Sequence, residues 1–151
     1  MQEDDNDAGT EDNDGRCSGE GVDSVVFVHA GHPGGQDGAR WRLRVRLRGL
    51  PNPFWEEGLR KFSGKDAEVR AFFDGYRDEV EAFAGAAEAL VRQTIRAYQA
   101  CGKRHLMVAF GCTGGQHRSV FMAQELARRL QGMSGVETKV MHMAEGRWEH
   151  G

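Results

Sequence analysis

The chain has few cysteines, no long apolar run and no lysine-bearing phosphate motif, and each shortage removes a class of protein. Its 151 residues hold three cysteines, at 17, 101 and 112. That odd number, with no Cys-x-x-Cys pair, indicates neither a disulfide framework nor a zinc site and fits a reducing interior. No stretch approaches the roughly 18 apolar residues of a membrane span, and the acidic N-terminus lacks the apolar core of a signal peptide. A cytoplasmic protein without membrane contact is expected. No Gly-Lys-Ser/Thr follows a glycine turn. The nearest approach, Gly58 to Lys65, has one residue too many between its glycines and Asp66 at the hydroxyl position, so P-loop nucleotide hydrolysis is not expected. His29, His32, His105 and His142 do not stand at metal-ligand spacing, and no metal or other cofactor is assigned.

What is present is unevenly distributed. Residues 1–24 carry nine acids against Arg16 alone, a charge of −8, leaving 14 acids and 19 bases, or +5, for residues 25–151. The leader has almost nothing apolar and reads as disordered, whereas the basic body suggests an anionic partner. A solubilising leader on an ordinary surface explains the same split. The length suits one domain, taken as 25–143, with 144–151 as a short tail.

Val25–Val28 is a short β-branched and aromatic run ended by the turn residues 32–35, and it predicts a buried strand. Trp41, Leu43, Val45 and Leu47 then alternate with Arg42, Arg44, Arg46 and Arg48, predicting a strand with one apolar face and one guanidinium row. Arg42 and Arg44 are candidate contacts to an RNA backbone; an exposed sheet face or ion pairs with nearby helices account for the row equally. Leu50-Pro51-Asn52-Pro53 stops that strand and fixes Asn52 in a turn. A short helix is expected around 54–61, a second from Asp66 to about Phe73, and a long one from Asp78 to Ala100 closed by Gly102. The apolar run 106–110 predicts a central strand. A helix through Leu130 and a final strand over 136–143 follow it. Strand, helix, strand implies a three-layer α/β domain with a mainly parallel central sheet. Trp41, Trp55, Phe72, Phe73 and Phe83 are expected in the core.

The chemistry concentrates between the strand ending at Phe110 and the next helix, in Gly111-Cys112-Thr113-Gly114-Gly115-Gln116-His117-Arg118-Ser119. Adjacent glycines let successive N–H groups point into one concavity, and the helix behind it adds unpaired N–H groups and the positive end of its dipole. Such a nest binds phosphate or a similar anion. Arg118 adds a bidentate clamp, and Thr113 and Ser119 add hydroxyls. Cys112, Arg118 and Ser119 also fit C-x5-R-S, a spacing that resembles the loop of cysteine-dependent phosphatases, and a cysteine at a helix N-terminus beside an arginine is the setting that favours a thiolate nucleophile. Gly111 stands where that family usually has histidine, and no general-acid aspartate is identifiable.

The same nine residues, with Arg48-Gly49-Leu50-Pro51-Asn52-Pro53-Phe54-Trp55 and the later Leu59-Arg60, Gly64-Lys65-Asp66 and Val69, resemble the C-terminal domain of the RNase adapter protein RapZ family over about residues 25–143. The resemblance implies a regulatory domain that senses a phosphosugar, glucosamine-6-phosphate being the family ligand, and couples it to RNA or protein partners. It places Cys112, Thr113, Gly114, Gly115, Gln116, His117 and Arg118 in the phosphate pocket, with Arg48 and Asn52 brought alongside; Ser119 joins them from the loop reading. Three departures stand out: the N-terminal nucleotide-binding domain is missing, Arg46 stands where the family usually has aspartate, and the end of the chain lacks the family's basic run. They remove nucleotide binding, weaken sugar-hydroxyl recognition and weaken the case for RNA. A small phosphorylated metabolite is therefore the expected partner, a cysteine phosphatase is the alternative, and the oligomeric state is open.

Overall fold

A computed structural model of the chain describes residues 23–30 and 41–148, without the side chains of Ala30, Trp41 and Arg42. The acidic leader as far as residue 22 and the turn at 32–35 lie outside the described residues, as do the core expectation for Trp41 and the RNA expectation for Arg42. Among the described residues, four strands, β1 (Ser24–Ala30), β2 (Trp41–Arg46), β3 (His105–Gly111) and β4 (Val136–His142), join three helices, α1 (Ala67–Asp74), α2 (Arg77–Ala100) and α3 (Arg118–Leu130). No helix of the described residues is long and apolar enough to cross a membrane.

Period-two alternation sets Val26 and Val28 of β1, Leu43 and Val45 of β2, Leu106, Val108 and Phe110 of β3, and Val136 and Val140 of β4 on one face of the sheet. Against it pack Val91 and Ile95 of α2 and Phe121, Met122, Leu126 and Leu130 of α3, with Phe73 of α1 stacked on Phe121 at 4.3 Å between ring centroids. Across the helix contact, the Glu88 carboxylate accepts from Arg92 at 2.8 Å and from Arg129 at 3.1 Å. Arg92, more than any other neighbour, holds the Glu88 carboxyl below its usual range. Arg129 also reaches Glu81 and Glu125. Trp55 departs from the core expectation, being 75% exposed.

The strand order is β2-β3-β1-β4, with β2 parallel to β3 and β1 antiparallel to both β3 and β4. The expected mainly parallel sheet is thus corrected to a mixed one, mostly antiparallel. The strand–helix–strand units remain, because β2, β3 and β4 all run in one direction. What differs is that β1 inserts between β3 and β4, replacing one parallel pairing with two antiparallel ones. A short apolar run has the same appearance in either sense, so composition does not distinguish them. The helix cores merge with a single sheet face, so the described residues form two layers rather than three. The helix expected over 54–61 is replaced by two single 3-10 turns, Pro53–Trp55 and Glu57–Leu59.

Candidate anion-binding site

The strand-to-helix loop is held from three sides. Beneath it, the Cys112 backbone N–H donates to the Asp23 carboxylate at 2.9 Å, and the Cys112 thiol donates to the Ser119 hydroxyl at 3.3 Å. Cys112 is 3% exposed and belongs to the apolar core. Gly115 adopts φ +69°, and a Cβ there would lie 2.9 Å from both the Asp23 carboxyl and the Ala144 methyl. Only glycine meets both conditions without strain.

On the second side, the segment after the proline turn is sewn to the loop through backbone carbonyls. The Gln116 amide donates to Arg60 O at 3.0 Å and Phe62 O at 2.9 Å, and Gln116 O accepts from Gly64 N at 2.8 Å. His117 Nε2 donates to Leu59 O at 3.1 Å, which selects the Nε2–H tautomer or the imidazolium. Gly64 is pressed so close to the start of α3 that a Cβ would sit 2.4 Å from His117 O and from Phe121 N. The third side is the end of the chain. Trp148 Nε1 donates to Gly115 O at 2.9 Å, while Met143 N donates to Asp23 O at 2.7 Å.

Arg118 opens α3, whose first turn contains no acidic residue. Its side chain is 5% exposed, and Nη1 donates to Leu47 O at 3.2 Å and Leu50 O at 3.5 Å. Its Nε is buried with no acceptor, and the guanidinium makes no ion pair among the described residues. A buried cation without a counter-charge is costly, and an orphaned donor adds about 1–3 kcal/mol. An anion within reach of Nε would offset both costs.

A family model described as the RapZ C-terminal domain matches residues 28–145. The chain belongs to the RapZ C-terminal domain family. A nucleotide-binding protein of Saccharopolyspora erythraea is 46% identical over 105 residues, covering 70% of this chain and 36% of that protein. One of Mycolicibacterium smegmatis is 43% identical over 101 residues, covering 67% and 34%. A third, of Halorhodospira halophila, is 48% identical over 84 residues, covering 56% and 29%. The chain therefore spans about a third of the length of the curated relatives it matches.

Within this RapZ-type domain the expected pocket residues divide. Thr113 and Gly114 are exposed at the loop's crest, and Gly115, Gln116, His117 and Ser119 are buried. Arg48 is exposed in the turn after β2. Asn52 caps the first 3-10 turn, its Oδ1 accepting from Phe54 N at 3.2 Å. Arg44 is exposed on the sheet face opposite the helices. Among the described residues no three His, Cys, Asp or Glu side chains converge to hold a metal ion.

Three participants were not legible as such. Asp23 counts among the leader's acids by composition, yet it is 3% exposed under the loop. Trp148 lies in the presumed tail, yet it is buried on Val120 and Ala144. Gly64 stands in the Gly64-Lys65-Asp66 block of the resemblance, but nothing local marks its close approach to the start of α3. His142 completes the surround, with Nδ1 2.9 Å from Ser24 Oγ and Nε2 accepting from Gln124 at 3.0 Å. Burial, aided by Lys65, lowers its pKa from the ordinary value, against an opposing pull from Glu145.

Proposed function

We propose that this RapZ-type regulatory domain binds a small phosphorylated metabolite at the 111–119 loop, a phosphosugar of the glucosamine-6-phosphate kind being the ligand that family membership suggests. The observation that carries the reading is Arg118, a buried guanidinium with an orphaned Nε and no carboxylate partner among the described residues, at the acid-free N-terminus of α3. Thr113, Gly114, the first amides of α3 and Arg118 supply donors of the kind a phosphate accepts from. A binding role is favoured over cysteine phosphatase chemistry because Cys112 lies in the apolar core with its sulfur on Ser119, leaving no face open to phosphorus. Coupling to an RNA or protein partner completes the proposal, with Arg44, exposed on the sheet face opposite the described helices, as its contact surface.

Titration calorimetry with glucosamine-6-phosphate, other sugar phosphates and inorganic phosphate tests this. Arg118→Ala, and Arg118→Lys as the variant that keeps the charge, should weaken binding by about ten- to a hundredfold, the worth of one or two charge-assisted hydrogen bonds. Binding of none of these ligands by the wild-type chain overturns the reading. Hydrolysis of an aryl phosphate that Cys112→Ser abolishes would replace it with the enzyme.

A further inference from the structure

The sheet face turned away from the helices carries a feature outside the loop. His29 of β1 and His105 of β3 stand directly opposite one another in the antiparallel register. Their rings converge, with Nδ1 atoms 3.3 Å apart, centroids 4.8 Å apart and planes inclined at 41°. On the other side of His29, Glu137 of β4 occupies the same cross-strand row, and Lys139 pairs with Phe27 in the next. His29 is half-buried, and His105 and Glu137 are exposed.

Two nitrogens bound tetrahedrally at about 2.0–2.1 Å from one ion are separated by roughly 3.3–3.4 Å. Two rings pointing straight at each other through a shared proton would hold their centroids further apart than their nitrogens by two ring radii, about 5.6 Å in all. The observed centroids lie well inside that value, so the rings are inclined and the two Nδ1 atoms, within hydrogen-bond distance of each other, do not meet head-on. We propose that His29 and His105 form a surface site for a divalent late transition-metal ion, each ligating through Nδ1. Imidazole donors select zinc, nickel or copper over magnesium or calcium, and the order of affinity should place copper first. Water fills the remaining positions, and Glu137 adds negative charge within one strand spacing. An ion so held clips β1 to β3. The histidines lie 76 positions apart in the chain, so sequence spacing conceals the pair and only the strand register reveals it.

The test uses the full, untagged chain carrying Cys17→Ser and Cys101→Ser, which removes two cysteines that would compete for the ion. Titration with zinc and nickel, followed by the imidazole Hε1 resonances, should move His29 and His105 together at one equivalent, with His142 unmoved. His29→Ala and His105→Ala should each weaken binding by about tenfold or more, since each removes one of two protein donors, while excess magnesium should leave it intact. No saturable binding overturns the proposal, as does saturation that survives the double alanine variant or that leaves these two resonances in place.

Discussion

Gly64→Ala is the most exacting test of how the loop is held. The added Cβ would sit 2.4 Å from His117 O and 2.4 Å from Phe121 N, and 2.9 Å from Val120 Cβ. Two of those neighbours are backbone atoms of a helix whose next turn lies in the core, so neither side yields cheaply. To restore van der Waals distance the 59–64 segment must move outward by about 1 Å, a displacement typical of overpacked sites that cost roughly 1–3 kcal/mol. It also stretches the Gly64 N–Gln116 O bond and the Gln116 and His117 contacts to residues 59, 60 and 62, worth about 1 kcal/mol each when fully lost. A total near 3 kcal/mol should lower the melting temperature by about 10 °C for a domain of this size. Gly114, where a Cβ meets nothing within 4 Å, is the control, and Gly114→Ala should melt close to wild type. Thermal unfolding by circular dichroism measures both variants, and phosphate calorimetry shows whether a displaced strap also weakens binding. A Gly64→Ala protein melting within about 2 °C of wild type would refute this account of the packing.

Asp23→Asn keeps an acceptor for Cys112 N–H but removes a negative charge from beneath the loop; calorimetry should record tighter phosphate binding than wild type, and weaker binding would mean that the carboxylate supports the site. Trp148→Phe preserves the ring in the Val120–Ala144 cluster and deletes the donor to Gly115 O, so denaturant unfolding should report a loss of about 1 kcal/mol. The lowered pKa of His142 means that the unfolded chain takes up the proton first. Stability should therefore fall as pH drops below about 6.5 and level off beneath the folded-state pKa, and denaturant midpoints that stay flat across this interval would contradict the assignment.

Legibility followed the range of the interactions involved. The glycine loop, the arginine-bearing strand and the long helix are local patterns of turn residues and periodicity, and all three stand where the residues indicate. The antiparallel placement of β1 depends on which strand edge is left open once α3 has crossed the sheet, and nothing within 24–30 encodes that choice. Asp23 and Trp148 escaped for a related reason. Their roles arise from contacts 89 and 33 positions away, while their immediate neighbours are an acidic run and a polar end. The His29–His105 pair is likewise a product of register alone.

The structure also divides labour within the loop more finely than the motif does. Gln116, His117, Gly115 and the Cys112 amide already have partners in the protein, and those partners lie on three different segments: the strap after the proline turn, the start of β1 and the end of the chain. A side chain held by several carbonyls would have to break those bonds to reach a ligand, losing about as much as it gained. Thr113 and Gly114 meet no such restraint at the crest, and Arg118 Nε is orphaned below them. A phosphate bound as proposed should therefore be gripped by the crest, the first amides of α3 and Arg118, with Gln116 and His117 fixing the loop's shape. A ligand that pulls on Arg118 pulls also on Leu47 O and Leu50 O, and through them on the turn that leads to Asn52 and the exposed Trp55. That turn is where occupancy of the site would first become visible at the surface.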